Sequence, residues 1–351
     1  MVRPRRRLIL SVLVAGFAVF SVITLRLAWE WKQALDDMNA MIVPTVALPT
    51  ATPAPVQKGA AVVTQPTLEP TATPKPGGPV NILLLGTDAR VGEQISRTDA
   101  VIVVHIDPQL DRVSMLSLPR DLWVDVPGYG KHKINAAYPI GERQLGTGYG
   151  AALAKETVGK LLNLQIEHFL LINFEGFKTL IDKLDGIMID VPQEIDDPSY
   201  PLGEFSGDNR TIKVHFSAGP QWMDSERALI YARTRHSDSD FGRNQRQQQV
   251  LMAIFDRVRQ RDMLTQLTSL DDYTGALRDY IRTDLTRSQM LSLASIGTRL
   301  HADDIQRLAL ESKMVIELKQ PATFAADPKA LRRLVAEMQS DSIASAKDAS
   351  P

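Results

Sequence analysis

No cysteine occurs among the 351 residues. A disulfide framework, thiolate metal sites and a cysteine nucleophile are therefore all excluded. Positive and negative charges nearly cancel, leaving a formal net charge of -1, so any preference for a polyanionic partner must be local. The six histidines are scattered with no His-x-x-x-His pair, which argues against a zinc hydrolase, and His105 is expected on a sheet face. No Gly-x-Ser-x-Gly elbow exists. Gly146-Thr147-Gly148-Tyr149-Gly150 opens a helical pattern, but its spacing is not Gly-x-Gly-x-x-Gly and no clear strand precedes it, which argues against a dinucleotide loop. There is no internal repeat.

Charge is also missing from Leu8 to Leu25, an uninterrupted run of 18 uncharged, mostly apolar residues. As a helix it measures about 27 Å, close to the ~30 Å hydrocarbon thickness of a bilayer. Arg3, Arg5, Arg6 and Arg7 precede it, and Trp29 and Trp31 follow at the expected interface. The positive-inside rule places the N-terminus in the cytoplasm and the rest of the chain outside. A cleaved signal peptide shares the basic start, but its apolar region is about 7–15 residues long and ends at small residues; Leu27-Ala28-Trp29-Glu30 offers no such site. An uncleaved single-pass anchor is therefore expected, with residues 1–7 a cytoplasmic basic tail and 8–28 the transmembrane helix.

From Pro44 to Pro79 the composition turns to Pro, Thr, Ala and Val, with 9 prolines in 36 residues. Such a segment favours extended polyproline geometry and reaches at most about 110 Å. Residues 29–79 are accordingly expected to be an extracytoplasmic Pro/Thr-rich linker that lifts the folded part off the membrane. Residues 80–340 are then expected to form one large folded domain, and 341–351 a disordered tail.

Within that domain strand-like and helix-like segments alternate. Val80–Gly86, Ala100–Ile106 and Val113–Leu118 are rich in β-branched and aliphatic residues, the last two joined as a hairpin through Asp107-Pro108-Gln109-Leu110-Asp111. A helix carrying Ala151, Ala154, Val158 and Leu161/Leu162 follows, then a strand at Phe169–Ile172, a helix at Phe174–Leu184 and a strand at Ile187–Val191. Asp224 is placed to cap a helix running through Ala232. The pattern predicts an α/β fold with a mixed central β-sheet.

Arginine and aspartate concentrate where a globular chain normally places few charges: Asp88, Arg90, Arg97 and Asp99, then Pro119-Arg120-Asp121 at the end of a strand-like run, then Arg233, Arg235, Asp240, Arg243 and Arg246. Arginine offers planar donors suited to phosphate oxygens, and a carboxylate pair can hold a hard cation beside them. A solvated surface explains one such cluster, since exposed ion pairs are common; three on element ends point to a phosphate-handling site. The helix beginning near Gly242 supports this. Stepping back by three or four from its apolar stripe of Val250, Leu251, Ile254, Phe255 and Val258 lands on Gln247, Arg246 and Arg243, so its core-facing side turns cationic near the helix N-terminus.

Several segments in order carry a family resemblance: Asn81-Ile82-Leu83-Leu84-Leu85-Gly86-Thr87-Asp88-Ala89-Arg90, Ser96-Arg97-Thr98-Asp99, Ser117-Leu118-Pro119-Arg120-Asp121, Lys133-Ile134-Asn135-Ala136-Ala137-Tyr138, and Tyr231-Ala232-Arg233-Thr234-Arg235 followed by Asp240-Phe241-Gly242-Arg243-Asn244-Gln245-Arg246-Gln247. This series resembles the LytR-CpsA-Psr family. The resemblance implies an α/β/α sandwich with a hydrophobic groove for a lipid tail. It implies a membrane-anchored phosphotransferase moving a phosphate-linked glycopolymer from a polyprenyl pyrophosphate carrier to peptidoglycan, with Mg²⁺ as cofactor; the expected extracytoplasmic placement argues against a nucleic-acid partner. By motif position, Asp88 and Asp99 would hold the metal; Arg120, with Asp121 and Asp99, would form the catalytic group; and Arg90, Arg97, Arg233, Arg235, Arg243, Arg246 and Gln247 would bind pyrophosphate. Asp99 and Asp121 are the candidates for removing the acceptor's proton. Leu184-Asp185-Gly186-Ile187 and Met223-Asp224-Ser225 depart from the family's usual glycine-containing turns, outside the charged clusters.

Three other readings use the same arginines: a non-catalytic binder of lipid-linked glycan, a pyrophosphatase acting on the carrier without an acceptor, and a DNA-binding regulator, against which the expected extracytoplasmic placement argues. A polyprenyl ligand requires an apolar groove leading to the arginines, with walls expected from the helices at Ala151–Leu162 and Phe174–Leu184.

Overall fold

Val80–Thr87 (β1) reads Val-Asn-Ile-Leu-Leu-Leu-Gly-Thr and is buried along most of its length. An apolar run of this kind calls for cover on both faces, and the computed structural model supplies it. It describes residues 29–44, 46, 48, 78–89, 95–202, 210–235, 239–260, 270–318 and 323–340. β1 pairs antiparallel with β2 (Thr98–Asp107), which returns antiparallel as β3 (Arg112–Ser117). After the hairpin β4 (Trp123–Val126) and β5 (Gly130–Lys133) and the helices α2 (Ala137–Gln144) and α3 (Tyr149–Leu162), β6 (His168–Asn173) runs parallel to β1. Helix α4 (Phe174–Lys183) leads into β7 (Ile187–Val191), β8 (Ile195–Pro201), β9 (Thr211–Phe216) and β10 (Gly219–Met223), paired as β7 with β10 and β8 with β9. Helices α5 (Ser225–Arg233), α6 (Ser239–Gln260) and, counting the helical residues 29–41 as α1, α7 (Leu270–Leu277) follow. β11 (Ile281–Thr283), α8 (Arg287–Gly297), β12 (Ile305–Ala309), the hairpin β13 (Val315–Glu317) and β14 (Phe324–Ala326), and α9 (Pro328–Gln339) complete the described chain.

The six-stranded sheet has the order β11-β6-β1-β2-β3-β12 and is mixed, with β1/β6 and β3/β12 parallel and its other pairs antiparallel. Side chains alternate across it. Leu83, Leu85, Val101, Val103 and Leu116 face a core built with Ala154, Val158 and Leu162 of α3 and Leu331, Leu334 and Met338 of α9. Ile82, Ile102, Val104 and Met115 face the other side, against Leu251, Met252 and Phe255 of α6 and Ile296 of α8. The expected α/β/α layering is present. Each fully buried aliphatic side chain in these layers stabilises the fold by about 1.5–3 kcal/mol. A separate core joins α4, α5, α6 and β7 through Ile181, Ile187, Tyr231 and Val250.

Helix starts are capped by side chains, and the Asp224 cap is the one expected from sequence. Asn173 caps α4, its side chain accepting from Gly176 N at 2.9 Å, and Asp224 caps α5, accepting from Arg227 N at 2.8 Å; such caps contribute about 1 kcal/mol each. His105 lies buried on the sheet with Nδ1 2.8 Å from Asn81 Oδ1 of the neighbouring strand. Burial holds its imidazole below the usual range. The Gly146-to-Gly150 loop is an anion site already filled from within. Glu142 accepts from Gly148 N and Gly150 N at 3.1 and 2.9 Å, and Gly146 and Gly148 adopt positive φ.

One boundary moves. Residues 29–41, assigned to the linker, form a helix whose Ala34, Met38 and Met41 are buried against the domain. Asp37 pairs with Arg278 at 3.0 Å, and Val43 N donates to Thr283 O at 2.8 Å. The folded body therefore begins before the proline-rich stretch, most of which lies outside the described residues together with the expected tail 341–351 and the expected span 8–28. Among the described residues no helix is long and apolar enough to cross a membrane.

Candidate functional site

Three strand ends and three helices converge at one end of the sheet. β1 runs out at Thr87 and delivers Asp88; the antiparallel β2 starts at the same level and delivers Asp99. Gly86 pairs with Ala100 while Thr87 pairs with Thr98, so Asp99 is the extra residue of a β-bulge. A bulge re-aims the side chain it carries, and Asp99 lines the cavity beside Asp88. Asp88 Oδ1 accepts from Ser96 Oγ.

Arg120 follows β3 through Leu118, whose N donates to Val101 O at 2.9 Å, and through the fixed φ of Pro119. This backbone sets Arg120 alongside the start of β2. Its Nη1 donates to Asp99 Oδ1. Its Nε is buried without a hydrogen-bond partner. Burial opposes the Arg120 charge, but Asp99, Asp240 and Asp121 around it outweigh this and raise its pKa above the ordinary arginine value. Asp121 points elsewhere: Lys133 Nζ sits 2.7 Å from its Oδ1, and Arg120 Nε 3.9 Å from its Oδ2. Burial alone would raise the Asp121 carboxyl, but Lys133, Asp240 and Arg120 hold it below the ordinary value.

The remaining cations come from the α5 to α6 connection. Arg233, in the last turn of α5, donates from Nη1 to Tyr200 Oη at 2.8 Å and lies over the Phe174 ring at 4.5 Å. Arg235 is exposed and 3.5 Å from Asp240 Oδ1. Arg243 is almost wholly buried. Its Nη2 is 3.3 Å from the same oxygen but lacks hydrogen-bond alignment, and its Nε has no partner. Burial, only partly offset by Asp240 and reinforced by Arg120, pulls the Arg243 pKa down to about 10. Gln247 Nε2 reaches Asp99 O at 3.4 Å, while its Oε1 is buried without a partner.

These side chains close one end of a cavity of about 600 Å³. Its body runs between the sheet residues Leu84, Ile102, Leu170 and Ile172 and the helical residues Phe177 and Leu180 of α4, Leu229 of α5 and Val250, Leu251 and Ile254 of α6. Of the two helices expected as walls, α4 serves and α3 does not, because α3 packs on the opposite face of the sheet. Seven sequence-derived residues meet there: Asp88, Asp99, Arg120, Arg233, Arg235, Arg243 and Gln247. Three of the others lie off the cavity wall. Arg97 is exposed, Asp121 is held by Lys133, and Arg246 donates to Tyr231 O and Thr234 O, fixing the backbone that carries Arg233 and Arg235. Arg90 lies outside the described residues. The sequence places Asp240 in the charged cluster without a specific role and gives Lys133, Phe174 and Tyr200 none. Asp240 and Lys133 stand inside the quoted motifs, whereas Tyr200 is announced by no motif at all.

A model of the LytR_cpsA_psr family matches residues 52–340 of this chain. "Regulatory protein MsrR" of Staphylococcus aureus (strain COL) is 34% identical over 235 residues, covering 65% of this chain and 64% of that protein. "Polyisoprenyl-teichoic acid--peptidoglycan teichoic acid transferase TagU" of Oceanobacillus iheyensis is 35% identical over 216 residues, 61% of each. The chain thus spans less than two thirds of the length of these curated relatives. The crystal structure of B. subtilis TagV matches with a TM-score of 0.58 and 29% identity over 75% of this chain and 97% of that one. A structure of TagT bound to LI-WTA matches at 0.57 and 25%, over 75% and 90%.

Proposed function

The chain belongs to the LytR-CpsA-Psr family, and from that premise we propose that it is a membrane-anchored phosphotransferase moving a phosphate-linked glycopolymer from a polyprenyl pyrophosphate carrier to peptidoglycan. One observation carries this reading: an apolar groove of about 600 Å³ ends in a cluster of arginines and carboxylates. An amphiphile with a hydrocarbon tail and a diphosphate head matches both parts, the tail through burial and the head through charge-assisted hydrogen bonds. The relative named as a teichoic acid transferase supports the choice of reaction.

Magnesium suits the donor set. Asp88 and Asp99 offer hard oxygens on two adjacent strand ends facing the cavity, and Mg²⁺ binds through one or two carboxylates together with substrate phosphates. When bound, it would neutralise charge on the diphosphate. The protein's own residues do the rest. Arg120, Arg233, Arg235 and Arg243 hold the phosphate oxygens, and Gln247 offers one further polar contact. A peptidoglycan hydroxyl attacks the phosphorus bearing the glycan, the bond to the polyprenyl phosphate breaks, and polyprenyl phosphate leaves. Of the two candidate bases only Asp99 lines the cavity, so we assign it the hydroxyl proton. Asp121 and Lys133 steady the Arg120 turn.

The test is incubation of the full chain in detergent with a polyprenyl pyrophosphate glycan, Mg²⁺ and peptidoglycan, with mass analysis of all products. Glycan-bearing peptidoglycan and polyprenyl phosphate are expected in equal amounts. Release without acceptor labelling would instead indicate a pyrophosphatase, and tight binding without products a receptor. Asp88→Ala and Asp99→Ala are expected to raise the Mg²⁺ concentration for half-maximal rate at least about tenfold; unchanged Mg²⁺ dependence in both would remove the metal assignment.

The anchor belongs to the same proposal. With residues 29–41 packed on the domain, a span ending at residue 28 would seat the domain at the bilayer surface, next to a lipid substrate, rather than at the end of a long spacer. Protease added to wall-stripped cells should digest the domain and spare the N-terminal tail. Protection of the domain would overturn the topology.

A further inference from the structure

We propose that Tyr200 is a positioning residue that fixes the Arg233 guanidinium toward a diphosphate, a role that rests on reading the cavity as a diphosphate site. The phenol is brought there by an irregular hairpin. In β8 the inward positions start at Ile195 and Asp197, and strict alternation would turn Tyr200 outward. The register to β9 slips between Asp197 and Tyr200, since Asp197 pairs with Val214 and Tyr200 with Ile212. One extra residue returns the tyrosine to the inner face, where it is only 4% exposed and lines the cavity.

There it holds Arg233 in two ways. Its Oη accepts from Arg233 Nη1 at 2.8 Å, and its ring lies 5.5 Å from the guanidinium carbon, with Phe174 at 4.5 Å from the same carbon. The hairpin is tied to the arginine segment separately, through Thr234 Oγ1 donating to Asp197 Oδ2 at 2.5 Å. Burial raises the phenol's pKa despite Arg233, so the hydroxyl is neutral at physiological pH. A neutral oxygen can accept the Nη1 bond without cancelling the positive charge that attracts phosphate. A carboxylate at that point would cancel it.

The experiment measures inorganic pyrophosphate binding to the full chain by calorimetry with Mg²⁺ present, for wild type, Tyr200→Phe, Arg233→Ala and the double variant. Tyr200→Phe keeps the ring and is expected to weaken binding about tenfold. In the Arg233→Ala background the same change should cost less than about twofold, because the phenol acts through the arginine. Wild-type affinity in Tyr200→Phe overturns the inference, as does an equal loss in both backgrounds, which would mark a merely structural tyrosine. If wild type itself does not bind pyrophosphate, the reading of the cavity falls and this inference with it.

Discussion

Replacing Arg120 with alanine is expected to lower glycopolymer transfer about 100- to 1000-fold, the usual effect of deleting one preorganised donor from a site where charge develops. Leu118 is hydrogen-bonded to β2 and Pro119 is fixed in φ, so Arg120 reaches the cavity from a rigid strand end rather than a loop. One nitrogen is committed to Asp99 and another, Nε, is buried without a partner, which leaves the remaining guanidinium N–H groups for phosphate. Lysine offers a single ammonium that cannot serve Asp99 and phosphate in the same planar geometry. Arg120→Lys is therefore expected to fall within about tenfold of Arg120→Ala. The fold should survive both changes. The Arg120 and Asp99 side chains are only 20% and 17% exposed, so losing the charged hydrogen bond between them costs about 1.5–3 kcal/mol, a fraction of a domain's stability. Melting temperatures should drop by about 3–12 °C, with a cooperative transition retained. Near wild-type turnover in both folded variants would remove Arg120 from the chemistry.

The parts of this site visible in the sequence are those encoded locally. β1, β2, β3, β6, α4, β7 and α5 announce themselves through dense aliphatic runs, turn residues and the Asp224 cap of α5, and their observed ends fall close to the expected ones. The hairpin of β8 and β9 was not legible. Ile-Asp-Asp-Pro-Ser-Tyr-Pro carries two prolines and little apolar alternation, and the bulge that aims Tyr200 inward is set by pairing with a distant strand. Helix α1 was hidden for another reason: its buried stripe of Ala34, Met38 and Met41 is short and lies between an apolar run and a proline-rich stretch. Helical periodicity placed Arg243 and Arg246 on one face and both are buried. It could not tell that Arg243 would line the cavity while Arg246, three residues on, would meet the carbonyls of Tyr231 and Thr234 at the end of α5. That difference depends on where α5 stops, and no spacing within α6 encodes it.

Arg243→Met is expected to raise the melting temperature of the ligand-free protein while abolishing transfer. The wild-type side chain is 3% exposed, and its Nε and Nη2 make no hydrogen bond. Burial pulls its pKa down to about 10, Asp240 opposing this and Arg120 adding to it. A cation whose folded pKa lies below its unfolded value destabilises the fold. The penalty is fully present at pH 7 and is relieved only as pH rises past about 10. Its size is on the order of 3 kcal/mol, and methionine fills a similar volume without it. Exchanging a buried ion for a hydrophobe of like size is commonly neutral or stabilising by about 1–4 kcal/mol. Asp240 is not stranded by the change, since Arg235 remains 3.5 Å away. An increase of several degrees in melting temperature follows. Pyrophosphate should reverse the order of the two proteins: its oxygens satisfy the orphan donors and the charge of wild-type Arg243, so ligand raises the wild-type melting temperature and leaves that of Arg243→Met nearly unchanged. A variant that melts several degrees lower than wild type, or that still transfers glycan at the wild-type rate, would show that Arg243 is a structural cation and not a donor held in reserve for phosphate.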